Sequence, residues 1–131
     1  MSSRPSNDEI LSKVEKALDA IVSGNKQIGP AYHLASDFEE CSIYDEADLW
    51  EKLPKLLSEL NAANPVLCYA GTRPPMLADD PYLDGLELWA YHWNSDIMNF
   101  RIYLKFCLKI GRDGKPHYLH ARIHQDRPKN I

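Results

Sequence analysis

Three things are scarce in this sequence, and each scarcity closes off a class of function. Cysteine is the first. Cys41, Cys68 and Cys107 make an odd count with no CxxC pair, so zinc or dithiol redox chemistry is not expected and buried, reduced thiols are. Long apolar runs are the second. Every hydrophobic stretch is short and interrupted, well below the roughly 20 residues that cross a bilayer. No membrane partner is expected. The opening MSSRPSNDEI has no apolar core or cleavage site, which predicts no secretory signal and a cytoplasmic protein. Clustered glycine is the third. No Gly-rich phosphate loop and no GxSxG nucleophile motif occur, so neither a nucleotide cofactor nor a serine nucleophile is expected. No cofactor of any kind is implied.

What is present describes one globular domain spanning 1–131. Hydrophobic residues make up 44% and charged residues 26% of the 131, which excludes a disordered chain. The net charge of −4 hides an asymmetry. Residues 1–100 carry a net of −10 and residues 101–131 a net of +6. Such halves either pair with each other or leave a basic part for a polyanion or an acidic partner.

The helical part runs from about 6 to 64. Ser6 and Glu9 have capping-box spacing, and Ile10, Val14, Ala17, Leu18 and Ile21 recur at helical spacing up to the Gly24-Asn25 stop. Ser36 to Glu39 repeats the cap spacing and predicts a short second helical turn. Asp45 to Leu60 forms an amphipathic stripe in which Pro54 predicts a kink or a restart. The sheet part runs from about 66 to 124. It comprises a buried strand at Val66–Ala70, a connection at 71–85 with no regular structure, and strands at 86–93, 101–110 and 117–124. A connection that long is more often functional than idle. The expected fold is α+β in two layers, with N-terminal helices packed on one face of a four-stranded antiparallel sheet.

Alternation sorts the sheet's side chains. Ile102, Leu104, Phe106 and Leu108 point one way, and Arg101, Tyr103, Lys105, Cys107 and Lys109 the other. Pairing Ile110 with Lys115 across Gly111–Gly114 sets Lys105 opposite His120, Tyr103 opposite Arg122 and Arg101 opposite His124. If Leu88 and Ala90 join the oily face, Glu87, Trp89, Tyr91 and Trp93 join the polar one. That face has the residues needed for RNA cleavage without a metal. His120, His124, Glu87 and Tyr103 are acid or base candidates, while Arg101, Lys105 and Arg122 stabilise the phosphorane. Arg101, His124 and Arg73 would contact phosphate, and Trp89 and Tyr91 would stack on bases. RNA is the expected partner, free or on the ribosome. His117, His120 and His124 invite a metal reading, but on a strand the last two lie roughly 13 Å apart, too far to share one ion.

Helices followed by an antiparallel sheet with a terminal basic hairpin resemble the RelE-like and MqsR-like bacterial ribonuclease toxins of the barnase–EndoU–colicin class. The most specific residues are Tyr103-Leu104-Lys105, similar to the Tyr-Leu-Lys of the MqsR-like toxins, and the preceding Trp89-x-Tyr91. That family's Lys-Ser-Met and Trp-Gln-Asp segments have no counterpart here. The resemblance implies metal-independent mRNA cleavage, Tyr103 and Lys105 at the site, and an antitoxin as partner. A different class stays open. The acidic stretch 37–51, with Glu39, Glu40, Asp45 and Glu46, suits a non-catalytic module such as an immunity protein or antitoxin-like inhibitor that docks on a basic protein.

Overall fold

The computed structural model describes residues 4–29, 32–81 and 83–126. The first three residues and the basic tail carrying Arg127 and Lys129 lie outside the described residues. The chain is α+β. Four helices, α1 (Asn7–Val22), α2 (Leu34–Cys41), α3 (Glu46–Ala62) and α4 (Pro65–Cys68), accompany four strands, β1 (Lys26–Ile28), β2 (Trp89–Ser95), β3 (Phe100–Ile110) and β4 (Pro116–Gln125). Among the described residues no helix is long and apolar enough to cross a membrane.

Local chemistry sets the helix ends. The Glu9 amide donates to Ser6 Oγ and the Ser6 amide to the Glu9 carboxylate, the reciprocal cap that starts α1. The Asp48 amide donates to Asp45 Oδ1 at the start of α3. That helix runs through Pro54 without a break. The second helix begins at Leu34, before the Ser36 cap expected for it, and Ser36 Oγ donates back to the His33 carbonyl.

The sheet is mixed, which corrects the all-antiparallel expectation. Its order is β1-β4-β3-β2, with β1 parallel to β4 and the other pairs antiparallel. The fourth strand is Lys26–Ile28 and not Val66–Ala70. Asn64 caps a single helical turn with Pro65 in its first position, where the missing N–H costs nothing. Only Tyr69 forms a bridge, to Tyr91. Segment 71–85 is also more ordered than expected. The Ala78 amide donates to the Leu86 carbonyl and the Leu88 amide to the Met76 carbonyl, folding the segment back on itself.

One large core joins the helices to one sheet face. Ile10, Val14 and Ala17 of α1 and Leu49, Leu53, Leu56 and Leu57 of α3 pack with Trp89, Tyr91, Trp93, Ile102, Leu104 and Phe106. Tyr91 Oη donates to the Ile10 carbonyl from inside this core. All three cysteines are free and buried.

Glu59, near the end of α3, ties that helix to the β2–β3 turn. Its carboxylate accepts from Trp93 Nε1 at 2.7 Å and from the Asp96 and Ile97 amides at 2.9 and 3.1 Å. Burial pushes the carboxyl's pKa up, but the hydrogen bonds from Ser95, Trp93, Ile97 and Asp96 together outweigh it and hold it below the usual range. A carboxyl lowered in the folded state adds stability above its unfolded pKa, and that contribution is lost as pH falls through the folded value. Glu59→Gln should therefore cost about 1–3 kcal/mol at neutral pH. In thermal melts the gap to wild type should narrow as pH drops through the carboxylate range. A gap that ignores pH would mean the charge contributes nothing.

Candidate functional site

The face of the sheet opposite the large core is built by an irregularity in β4. Phe106 pairs with His120, yet Lys105 pairs with Arg122, so Ala121 is an extra residue on β4. Such a β-bulge shifts the alternation by one. Below it, Tyr118 and His120 face the large core. Above it, Arg122 and His124 face outward, and Ile123 returns to the core. Uniform alternation cannot produce this arrangement. The β3–β4 loop is also one residue longer than expected, with Ile110 opposite Pro116 and Gly114 in the left-handed conformation. The expected pairings of Lys105 with His120, Tyr103 with Arg122 and Arg101 with His124 are accordingly replaced by Lys105 with Arg122 and Tyr103 with His124.

Three expected site residues lie on the core side. His120 is 2% exposed, its Nδ1 3.0 Å from Tyr118 Oη. Burial is the main cause that drives its pKa down to about 4. A neutral imidazole sealed from solvent has no substrate proton to move. Trp89 and Tyr91 are buried in the large core together with Trp93, because β2 presents its aromatic set inward and its Leu88, Ala90, His92 set outward. Two more lie elsewhere. Glu87 is held by Arg4 at 2.6 Å. Arg73 donates to the Pro5 carbonyl and lies over the Tyr69 ring, pointing to the chain's beginning and not to the sheet's polar face.

The structure brings Tyr103, Lys105, Arg122, His124 and Arg101 together and adds His92, which sequence reasoning passed over. Cross-strand neighbours line up as His92–Tyr103–His124 and, one row down, Ala90–Lys105–Arg122. The Tyr103 and His124 rings stack with centroids 4.8 Å apart. His92 Nδ1 is 3.0 Å from Asp126 Oδ2, which also accepts from Arg101 Nε at 2.9 Å. His124 Nδ1 lies 2.8 Å from the Gln125 carbonyl and so carries the proton that donates to it. In both histidines Nδ1 is thus engaged, and Nε2 has no hydrogen-bond partner among the described residues. The missed signal was parity. Reading Trp89, Tyr91 and Trp93 as the oily set of β2 would have put His92 on the polar face.

The two guanidiniums are restrained and the amine is not. Arg122 makes a two-pronged contact with buried Asp37, at 2.9 and 3.0 Å, and the Ile123 amide donates to the same carboxylate. That hydrogen-bonded pairing raises the Arg122 pKa. Lys105 is half-buried and has no ion-pair partner among the described residues. Burial, with Arg122 beside it, lowers its pKa. Burial likewise raises that of the Tyr103 hydroxyl, which stays protonated as a hydrogen-bond donor.

Segment 71–85 covers part of this face. Ala78 and Leu83 pack on Cys107 and Leu119 in a second, smaller core. Two clefts remain beside the covered part, of about 240 Å³ and 160 Å³, and Lys105 lines both. Among the described residues no three His, Cys, Asp or Glu side chains converge as metal ligands would. No family model, curated protein or solved structure matches the chain.

An amine with a lowered pKa penalises the folded state at neutral pH. The penalty disappears as pH rises through the unfolded lysine value. Because Lys105 is only half out of water, solvent screening keeps the effect small. Lys105→Met should raise stability by about 0.5–1 kcal/mol at pH 7, with the gain shrinking as pH rises through the lowered folded value and largely gone above the unfolded value of about 10.4. A variant less stable than wild type at pH 7 would mean the ammonium has a partner that holds it in place.

Proposed function

We propose that the outward sheet face binds RNA and cleaves it without a metal, as a toxin-like endoribonuclease does. The supporting observation is the row His92–Tyr103–His124 set beside Lys105 and Arg122. RNA cleavage of this type needs a base for the 2′-hydroxyl proton, an acid for the leaving 5′-oxygen and cations for the phosphorane. His124, whose Nδ1–H is engaged and whose Nε2 can accept, suits the base. His92, whose Nδ1 is hydrogen-bonded to the Asp126 carboxylate so that Nε2 can face substrate, is assigned the acid. The 2′-oxygen attacks phosphorus, the bond to the 5′-oxygen breaks, and a cyclic phosphate and a 5′-hydroxyl result. Lys105, Arg122 and the Tyr103 hydroxyl would bind the non-bridging oxygens. His92 and His124 sit two strand spacings apart, roughly 10 Å between Cα atoms, with the Tyr103 ring between them, so a phosphodiester reaching both would lie over that ring.

This function takes the sheet as one layer with α1 and α3 as the other, so that the opposite face meets substrate. It belongs to a cytoplasmic setting, with RNA free or on the ribosome, and it calls for a protein antagonist that covers the same face. The competing inhibitor function draws on the acidic segment 37–51, where several carboxylates are already engaged. Asp37 holds Arg122, Glu40 accepts from the Gln125 amide, Asp45 caps α3 and Asp48 binds Lys52. Glu39, Glu46 and Glu51 are the exposed carboxylates left to face a partner.

The test is cleavage of a fluorescent mixed-sequence RNA in excess EDTA, with and without ribosomes. Wild type should cleave. His92→Ala, His124→Ala and Lys105→Ala, each checked for folding by circular dichroism, should each lose about 10²–10⁴ in rate. Absence of cleavage by wild type under both conditions would overturn the proposal, and so would full activity in the two histidine variants.

A further inference from the structure

The two clefts beside Lys105 differ in lining. The larger is bounded by Tyr32, His33 and Asp79 on one side and by Lys105 and Arg122 on the other, over an apolar floor that includes Leu83 and Leu88. The smaller is bounded by Gly71, Thr72 and Met76 on the loop side and by Ala90, Tyr103 and Lys105 on the sheet side. At about 240 and 160 Å³ both fall below the roughly 300–1,000 Å³ of an ordinary small-molecule site. Neither takes a whole cofactor. Each takes a fragment, and the amine that lines both is a cation with no ion-pair partner among the described residues.

Two flat fragments joined through one anion describe a dinucleoside monophosphate. We infer that the clefts are paired nucleoside subsites, with the linking phosphodiester on Lys105 and Arg122, and that the larger cleft selects a base carrying an exocyclic amino group. Two carboxylates line that cleft, Asp79 and Asp80, and the selectivity comes from Asp79, the more exposed of the two. A carboxylate only accepts hydrogen bonds. It rewards the amino donors of adenine, cytosine or guanine, and repels the carbonyls that flank the single donor of uracil or thymine. Tyr32 and His33 supply ring faces for stacking. The smaller cleft has no ionised group other than Lys105 and tolerates any base. The inference rests on the ribonuclease proposal for its substrate class, but the binding step can be read without cleavage.

The probes are 2′-deoxy dinucleoside monophosphates, which lack the attacking hydroxyl, titrated by calorimetry at low salt beside the matching deoxynucleoside monophosphates. Wild type should bind deoxyadenylyl- and deoxycytidylyl-containing dinucleotides about tenfold tighter than the dithymidine one. It should also bind the dinucleotides about tenfold tighter than either mononucleotide. Asp79→Asn should erase the base preference, weakening the adenine and cytosine dinucleotides and raising the dithymidine affinity toward theirs. Lys105→Ala should weaken every dinucleotide about tenfold, and Lys105→Met, which keeps the stem, should do the same. Equal affinity for mono- and dinucleotides would overturn the pairing of the clefts, and a preference that survives Asp79→Asn would overturn the role of that carboxylate. If wild type cleaves RNA but binds as in either of those cases, the subsites fall and the ribonuclease proposal stands. If the binding pattern is as expected and RNA is not cleaved, the subsites stand as a binding site and the ribonuclease proposal falls.

Discussion

One extra residue, Ala121, decides what the outer face contains, and the Asp37 carboxylate fixes the strand just beyond it. Below the bulge, β4 is held on its outer edge by β1, ending where the Gly29 amide donates to the His120 carbonyl. Beyond it, β1 has ended and the edge amides need other acceptors, since an unpaired buried N–H is costly. Helix α2 supplies them. Asp37 accepts from the Ile123 amide and Glu40 from the Gln125 amide, so carboxylates three apart on a helix serve amides two apart on a strand. The edge is closed by side chains where a further strand would otherwise invite pairing with another molecule. The same Asp37 grips Arg122 in two places, which locks the register above the bulge and sets that guanidinium beside Lys105.

This hold also explains where the chain's charge asymmetry goes. Part of it is consumed internally by the Arg122–Asp37 pair, which joins the basic part to the acidic one. A buried pair of this kind is a weak source of net stability but a strong specifier, because losing either partner strands the other. What remains is selective. Along β3 the lysines at 105 and 109 are in no ion pair among the described residues, whereas the arginines on either side of Lys105 are engaged. Beside the bulge, the face therefore sets two fixed guanidiniums around the uncommitted amine of Lys105.

Helices α1 and α3 and the three C-terminal strands were legible because each rests on local rules, whereas the strand expected at Val66–Ala70 is the short helix α4. The Ser6–Glu9 cap, the apolar stripe of α3 and the alternation of β3 needed no tertiary information. The site was only half legible. Tyr103, Lys105, Arg122, His124 and Arg101 were placed on one face correctly because β3 is regular and because Arg122 and His124 lie beyond the bulge, where the register error happened to preserve their facing. His120 was misplaced because a bulge leaves no mark in a His-Tyr-Leu-His-Ala-Arg run whose two alternating sets are both mixtures of polar and apolar. The facing of β2 was misassigned because tryptophan and tyrosine suit either a core or a stacking surface, and the Leu88–Ala90 set looked as oily as the aromatic one. Both sets are in fact shielded, since segment 71–85 brings Leu86 and Leu88 onto a second core. β1 was illegible for a simpler reason. Three residues carry no period, and only the β4 edge tells them to be a strand.

The position of Lys105 ties these features together. An amine partly removed from water, next to a guanidinium and with no carboxylate of its own, is a local conflict that a fold under selection for stability alone would remove by substituting an apolar residue of the same length. Its desolvation does not come from the large core, which lies on the other side of the sheet. It comes from the margin of segment 71–85, whose Met76, Ala78 and Leu83 form walls of the two clefts on either side of it. One segment thus shapes both clefts and sets the electrostatics of the amine between them. Movement of that segment away from the sheet would rehydrate Lys105 and open both clefts at once. Closure over a bound anion would strengthen the interaction by excluding water. Binding at this face would therefore be coupled to that movement by geometry, because segment 71–85, Lys105 and both clefts meet there.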